Sequence, residues 1–289
     1  MKIIYLIFIA IISLLEAKVT VCAHYFGQPE FIKYQYLFFK KNLLDEHELI
    51  IFEDSNDFKI SEQIQKECEK YDIKYVHIPY SVFEKPNLPI TDSGINVTSP
   101  SFQCSVATQY IYDNYVIPSE DICLILDNDI FLLSPFSIEK HLGTYSFSYV
   151  RQEKGQPNQL ISYMLPNFVI FNPLMMPEKE QFDFNLGSIL GARTDSGGYT
   201  YFYLQDYAFL GQEVATYYLC ETPSDLKIRF DDRYPLLFHS TEWGSHYFMA
   251  QDTFLHLRMG SNWSRHPKYA QMRKELDCFF QELLRGDLQ

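Results

Sequence analysis

The sequence has no C-x-x-C pair, no internal repeat, no low-complexity tract and no excess of positive charge. Each absence weakens a class of function. The six cysteines, Cys22, Cys68, Cys104, Cys123, Cys220 and Cys278, are scattered along the chain, which gives zinc-finger and thioredoxin-like readings no footing. Cys22 and Cys123 lie inside apolar runs and read as buried thiols. A net charge of −13 argues against a nucleic-acid partner, because phosphate backbones recruit basic surfaces. It also means that an anionic ligand would need local positive charge, and a bound divalent cation is the simplest source. Beyond the N-terminus no segment approaches the run of about 20 apolar residues that a membrane-spanning helix needs.

What is present begins with the N-terminus. Lys2 precedes an apolar run from Ile3 to Leu15, broken by Tyr5 and Ser13, and Glu16 and Ala17 follow. A basic start, a short apolar stretch and a small residue describe a secretory signal peptide over residues 1–17, with an uncleaved membrane anchor as the alternative. The remainder has the balance of a globular protein, 47% hydrophobic and 21% charged, so disorder is not expected. With 22 Tyr and 24 Phe, the core is expected to rest on aromatic rings. Some Tyr would remain to stack on bases or sugars in a groove.

From Lys18 onward strand and helix signals alternate. Val19 to Phe26, Glu48 to Phe52, Ile73 to Ile78 and Ile122 to Leu126 read as strands. Glu30 to Leu44, Ser61 to Tyr71 (capped by Ser61) and Ser101 to Tyr115 read as helices. A long loop, 86–100, rich in Pro, Asn, Ser and Gly, interrupts this order, and loops of that length are often functional. Past His141 the regularity fades into a short strand, Phe168 to Phe171, bounded by Pro166 and Pro173. A loop follows from Gly187 to Gly198, then a mixed aromatic segment from Tyr199 to Tyr218 and a terminal helix from Pro267 to Leu284. The alternation predicts an α/β fold with a mostly parallel central sheet flanked by helices. A nucleotide-binding half over 18–150 would share that sheet with an acceptor-binding half over 151–289.

The segment that carries chemistry is Ile122-Cys123-Leu124-Ile125-Leu126-Asp127-Asn128-Asp129-Ile130-Phe131. A buried strand delivers two carboxylates one residue apart, at the carboxyl end where open α/β sheets bind ligands. Side chains at i and i+2 point to one side of an extended chain, so both can approach one hard cation such as Mg²⁺ or Mn²⁺. That ion would neutralise a diphosphate and stabilise it as a leaving group. The apolar strand with Asp-x-Asp, continued by Leu133-Ser134-Pro135-Phe136, resembles the metal site of GT-A glycosyltransferases. The resemblance covers the order of elements from Lys18 to about Trp263. It implies a Rossmann-like sheet, a nucleotide-diphosphate sugar as donor, and a glycan, protein or lipid as acceptor.

A second segment, Phe254-Leu255-His256-Leu257-Arg258-Met259-Gly260-Ser261-Asn262-Trp263, resembles the C-terminal stretch of several GT-A families. There a His completes the metal shell, which would make His256 the third ligand beside Asp127 and Asp129. Imidazole is a competent ligand for Mn²⁺. Arg258 can grip phosphate in a bidentate manner, Gly260 allows close backbone approach, and Ser261 would join them at the diphosphate with Asn128. Tyr25, at the end of the first strand, is a candidate for stacking on the base, with a core position as the alternative. Asp54, at the end of the second strand, would contact ribose or base, or else form a turn. Asn167 and Asn172 are candidates for sugar contacts. Gln205-Asp206 resembles the family's acidic residue that faces the reacting sugar, which makes Asp206 the candidate catalytic group.

Two other readings compete. A haloacid-dehalogenase-type phosphohydrolase also carries Asp-x-Asp after a strand, but its usual Thr or Val is replaced here by Phe131, and its motif normally lies near the chain start. A GT-A-like binding protein without catalysis would share every motif. An EF-hand loop fails, because Leu132 stands where that loop needs Gly. Nucleotide sugars are imported into the endoplasmic reticulum and Golgi lumen, so the signal segment points to the secretory pathway or to a membrane-tethered enzyme. Asn96-Val97-Thr98 and Asn262-Trp263-Ser264 are glycosylation sequons.

Overall fold

A computed structural model describes residues 18–84, 99–156, 159–218, 234–238, 246–250, 253–257 and 267–286. The N-terminal segment 1–17, Arg258, Gly260, Ser261 and both sequons lie outside the described residues. Among the described residues, no helix is long and apolar enough to cross a membrane.

Thirteen strands are described: β1 (Val19–Tyr25), β2 (His47–Glu53), β3 (Lys74–His77), β4 (Ile122–Asp127), β5 (Ile130–Leu132), β6 (Phe147–Gln156), β7 (Gln159–Phe171), β8 (Ser188–Ile189), β9 (Ala192–Arg193), β10 (Gly211–Glu213), β11 (Thr216–Tyr218), β12 (Tyr247–Met249) and β13 (Phe254–His256). The longer helices are α1 (Phe31–Asn42), α2 (Phe58–Lys70), α3 (Pro100–Ile111), α4 (Thr200–Tyr207) and α5 (Tyr269–Arg285). The central sheet has the order β10-β6-β7-β4-β1-β2-β3. Every neighbouring pair in it is parallel except the two that β7 makes, so the protein is α/β with a mostly parallel sheet. The sheet draws strands from both sides of residue 150, which itself lies within β6.

Strand alternation sorts the core. Val19, Val21, Ala23 and Tyr25 of β1 and Leu124 and Leu126 of β4 face α1 and α5, whose Phe31, Phe38, Leu276 and Phe280 fill that side. Cys22, Cys123 and Ile125 face the other side, under Ala107 and Ile111 of α3. Two of the boundaries that differ from the sequence expectation have a visible cause. Helix α2 begins earlier, with Asp57 as its cap accepting from the Lys59 amide. Ser61 lies within α2 and donates to Glu53 Oε1 instead. Strand β7 runs thirteen residues, well past the expected Phe168–Phe171. It passes through Pro166 because the ladder to β6 shifts register there: Tyr149 pairs with Val169 and Val150 with Leu165, which excuses Pro166 from donating.

A second, four-stranded sheet, β11-β12-β13-β5, is antiparallel. The chain leaves the central sheet at Asp127 and enters this one at Ile130, so the Asp-x-Asp turn is the hinge between two sheets. Helix α1 fixes that turn. Gln35, fully buried, donates from Nε2 to the carbonyls of Asp127 (3.0 Å) and Ile130 (2.9 Å) and accepts from the Tyr25 hydroxyl (2.7 Å). Two helical turns further on, Asn42 donates to the Leu132 carbonyl, as the i, i+7 spacing allows.

Replacing Gln35 with Leu should therefore strip a buried hydroxyl and two buried carbonyls of their partner. At about 1–3 kcal/mol for each group left without a bond, some of it recovered by relaxation, the loss should be about 3 kcal/mol. Urea unfolding is the measurement. An unchanged midpoint would show that the turn is held by something else.

Candidate functional site

The site is built at the carboxyl edge of the central sheet, where β4 and β2 leave β1 on opposite sides. Such a reversal of strand order opens a crevice suited to ligands. In the ladder between β1 and β4, His24 is the register partner of Asp127. Alternation then decides which side chains meet. His24 follows Cys22, Asp127 follows Cys123 and Ile125, and Asp54 follows Ile50 and Phe52, all on the face covered by α3. Three polar groups from three strands thus converge under one helix.

Their contacts are close. His24 Nε2 stands 3.2 Å from Asp54 Oδ1, and His24 Nδ1 stands 4.0 Å from Asp127 Oδ1. The Cys104 thiol of α3 completes a trio with His24 and Asp127 whose donor atoms all lie within 4.8 Å of one another. Sequence reasoning passed over His24 and Cys104. One was hidden in an apolar strand, and the other is a lone Cys in a helix whose place depends on where the preceding loop sets it down.

The second half of the site comes from the far end of the chain. Strand β13 pairs antiparallel with β5, setting His256 opposite Ile130, and the Leu257 amide donates to the Asp129 carbonyl (2.9 Å). His256 Nε2 then lies 3.2 Å from Asp129 Oδ1, with both side chains almost wholly buried. Asn167 of β7 brings its Nδ2 to 3.4 Å from His256 Nδ1. Asn128 is buried and donates to the Gly27 carbonyl, tying the turn to the loop after β1. The Asp127 side chain is the most open of the charged group, 27% exposed. Burial first, and the Asp129 charge next, push its carboxyl up to about 6, against the pull of His24 and His256.

Beside Asp54 a cavity of about 490 Å³ opens toward β3, walled by Phe58, Tyr75, Tyr80 and Phe83. Four of the residues that line it are held by Glu53. This fully buried carboxylate accepts from the Ser55 amide, the Ser61 and Tyr75 hydroxyls and the His77 ring.

Two expected site residues sit elsewhere. Tyr25 has no exposed surface and spends its hydroxyl on Gln35, so it is a core residue and its ring has no face free for a base. Asn172 follows the Phe171 end of β7, which lies level with Cys123 at the opposite edge of the sheet, and its amide donates to the Ser146 carbonyl. Asp206 is exposed on α4. That helix starts beside the site, where the Thr200 hydroxyl accepts from the Met164 amide. It then descends past Phe147 to enter β10 at Gly211, level with Phe147 at the far edge. Asp206 thereby lies about 9 Å along the helix axis from Thr200.

No protein-family model and no curated protein matches the sequence. Among solved structures, the apo structure of the WbbM bifunctional glycosyltransferase aligns at 8% identity and a TM-score of 0.43, over 69% of this chain and 39% of that one. An active-site mutant of LgtC aligns at 9% identity and a TM-score of 0.31, over 55% and 58% of the two chains. The alignments thus take in less than two thirds of the length of either protein.

The His24–Asp54 pair makes a pH-dependent prediction. Burial opposes a charged imidazole, but the adjacent Asp54 outweighs it and raises the His24 value well above 6.5. A folded-state value above the unfolded one stabilises fully below about 6.5, and the gain is lost as pH rises through the folded value. In chelator-treated protein the His24 ring resonances should titrate well above 6.5, and Asp54→Asn should bring them down. A native ring titrating at or below 6.5 would contradict the pairing.

Proposed function

We propose that the chain is a metal-dependent glycosyltransferase, moving a sugar from a nucleotide-diphosphate donor to a glycan, protein or lipid acceptor. The observation that carries this reading is the 3.2 Å approach of His256 to Asp129 beside a second strand-end carboxylate, Asp127. Two carboxylates and an imidazole suit Mn²⁺ or Mg²⁺. Asp129 Oδ1, buried and without a hydrogen bond, is the kind of oxygen a cation would satisfy. When bound, the ion would neutralise the diphosphate and stabilise it as the leaving group.

The chain's own residues would do the rest. Asp127, Asp129 and His256 hold the cation, and Asn128 and Gln35 keep the turn that presents the two carboxylates. The cavity beside Asp54 has the volume for a nucleoside. Its aromatic walls offer faces to a planar base in place of Tyr25, with Asp54 at its edge for the ribose. Arg258, Gly260 and Ser261 follow His256 directly and would close over the diphosphate, supplying positive charge that an acidic protein otherwise lacks. The N-terminal segment would direct the chain to the endoplasmic reticulum or Golgi lumen, or tether it to that membrane.

Purified protein supplied with Mn²⁺ and a panel of nucleotide sugars should release nucleoside diphosphate. Asp129→Ala should lower that release by about 10²-fold or more. Full activity in EDTA would contradict the metal assignment. Phosphate release from a phosphomonoester would favour the phosphohydrolase, and inactivity toward both substrates would favour a binding protein.

A further inference from the structure

The Asp129–His256 pair leaves a second cluster of donors unexplained on the other side of Asp127. Among the described residues, His24, Cys104 and Asp127 form a group whose ligand atoms all lie within 4.8 Å of one another. None of the three is fully exposed, since His24 is buried and the other two are half-buried. In a tetrahedral site with bonds of about 2.0–2.3 Å, donors stand roughly 3.3–3.8 Å apart, so a small inward movement of side chains would close this trio on one ion.

The surroundings add an independent mark. A metal-binding His usually donates its other ring N–H to a carboxylate, which fixes the ring and its tautomer. His24 is placed for that arrangement: Nε2 faces the buried Asp54 at 3.2 Å, which leaves Nδ1 turned toward Asp127 at 4.0 Å. Asp54 Oδ1 and His24 Nε2 are buried and neither meets hydrogen-bond geometry with any partner, so they meet as a close ion pair. Cys104 is a free thiol one turn into α3, on the same side as His24.

We propose that His24, Cys104 and Asp127 form a second cation site, selective for Zn²⁺, with Asp54 as the outer carboxylate that sets the imidazole. A set of sulfur, nitrogen and oxygen donors suits Zn²⁺, whereas Mg²⁺ and Mn²⁺ prefer oxygen. On binding, the Cys104 thiol gives its proton to solvent and the ion takes the place of any proton on His24 Nδ1. Because Asp127 belongs to both sites, bound Zn²⁺ would weaken retention of the ion at Asp129 and His256. That consequence for transfer rests on the function proposed above, while the zinc site itself does not.

The test uses Co²⁺ as a spectroscopic stand-in for Zn²⁺, on the full chain stripped with chelator and without donor sugar. One equivalent should give a thiolate-to-cobalt charge-transfer band in the near ultraviolet, and Zn²⁺ should abolish it while excess Mg²⁺ does not. The band should vanish in Cys104→Ala and Cys104→Ser and persist in Cys278→Ser and His256→Ala. Thermal melting identifies which Cys104 variant remains folded. Asp54→Asn should keep the band but weaken Co²⁺ binding by about 10–100-fold. Absence of the band in the native chain, its survival without Cys104, or its loss in His256→Ala would overturn the proposal. Each of these readouts is independent of whether any nucleotide sugar is turned over.

Discussion

The pairing of β13 with β5 is the constraint on which the site depends. The chain leaves the central sheet at Asp127 and would otherwise present two carboxylates on a turn open to solvent. The antiparallel ladder from Ile130 to His256 and the Leu257 amide bond to the Asp129 carbonyl cover that turn and bring an imidazole against it. The aromatic packing beneath makes the pairing stiff. Phe131 of β5 contacts Phe31 and Phe38 of α1 and Phe280 of α5, so the small sheet is clamped to the helices that also hold the central one. Helix α1 serves both layers, since its apolar face fills the core while Gln35 and Asn42 hold the backbone of the turn and of β5.

Electrostatics explains why this edge demands positive charge. Asp54, Asp127 and Asp129 converge at the end of one sheet in a chain that is already strongly acidic. Removing carboxylates from water is costly unless each finds a partner. His24 serves Asp54, His256 serves Asp129, and Asp127 lies between the two pairs as the most exposed member. Burial first, and the Asp129 charge after it, raise the Asp127 value, and the second of these marks negative charge that the protein alone does not fully balance. A divalent cation at this position would complete the balance, and an anionic diphosphate would then be drawn to a protein whose net charge would repel it.

Much of this was legible in the sequence because it depended on local pattern. The apolar run ending in Asp127 and Asp129 could be placed at a sheet edge, and Asp54 at the end of the neighbouring strand, from alternation alone. What escaped depended on how distant pieces meet. Gln35 looks like any polar residue on a helix until the Asp127–Ile130 turn is laid against it. Cys104 is unremarkable until α3 is set over β1. Pro166 and Pro173 appeared to bracket a short strand, since nothing local reveals a register shift that lets β7 continue through a proline. The order of residues in α4 does not say which end of the helix faces the site; the bonds at Thr200 and Gly211 do.

A crystal structure of the full chain with Mn²⁺ and a nucleoside diphosphate, with the ion located by its anomalous scattering, tests the central claim most directly. The account predicts one manganese bound by carboxylate oxygens of Asp127 and Asp129 and by His256 Nε2, with the diphosphate on its open side. Manganese found away from His256, or a diphosphate bound elsewhere on the molecule, would contradict it.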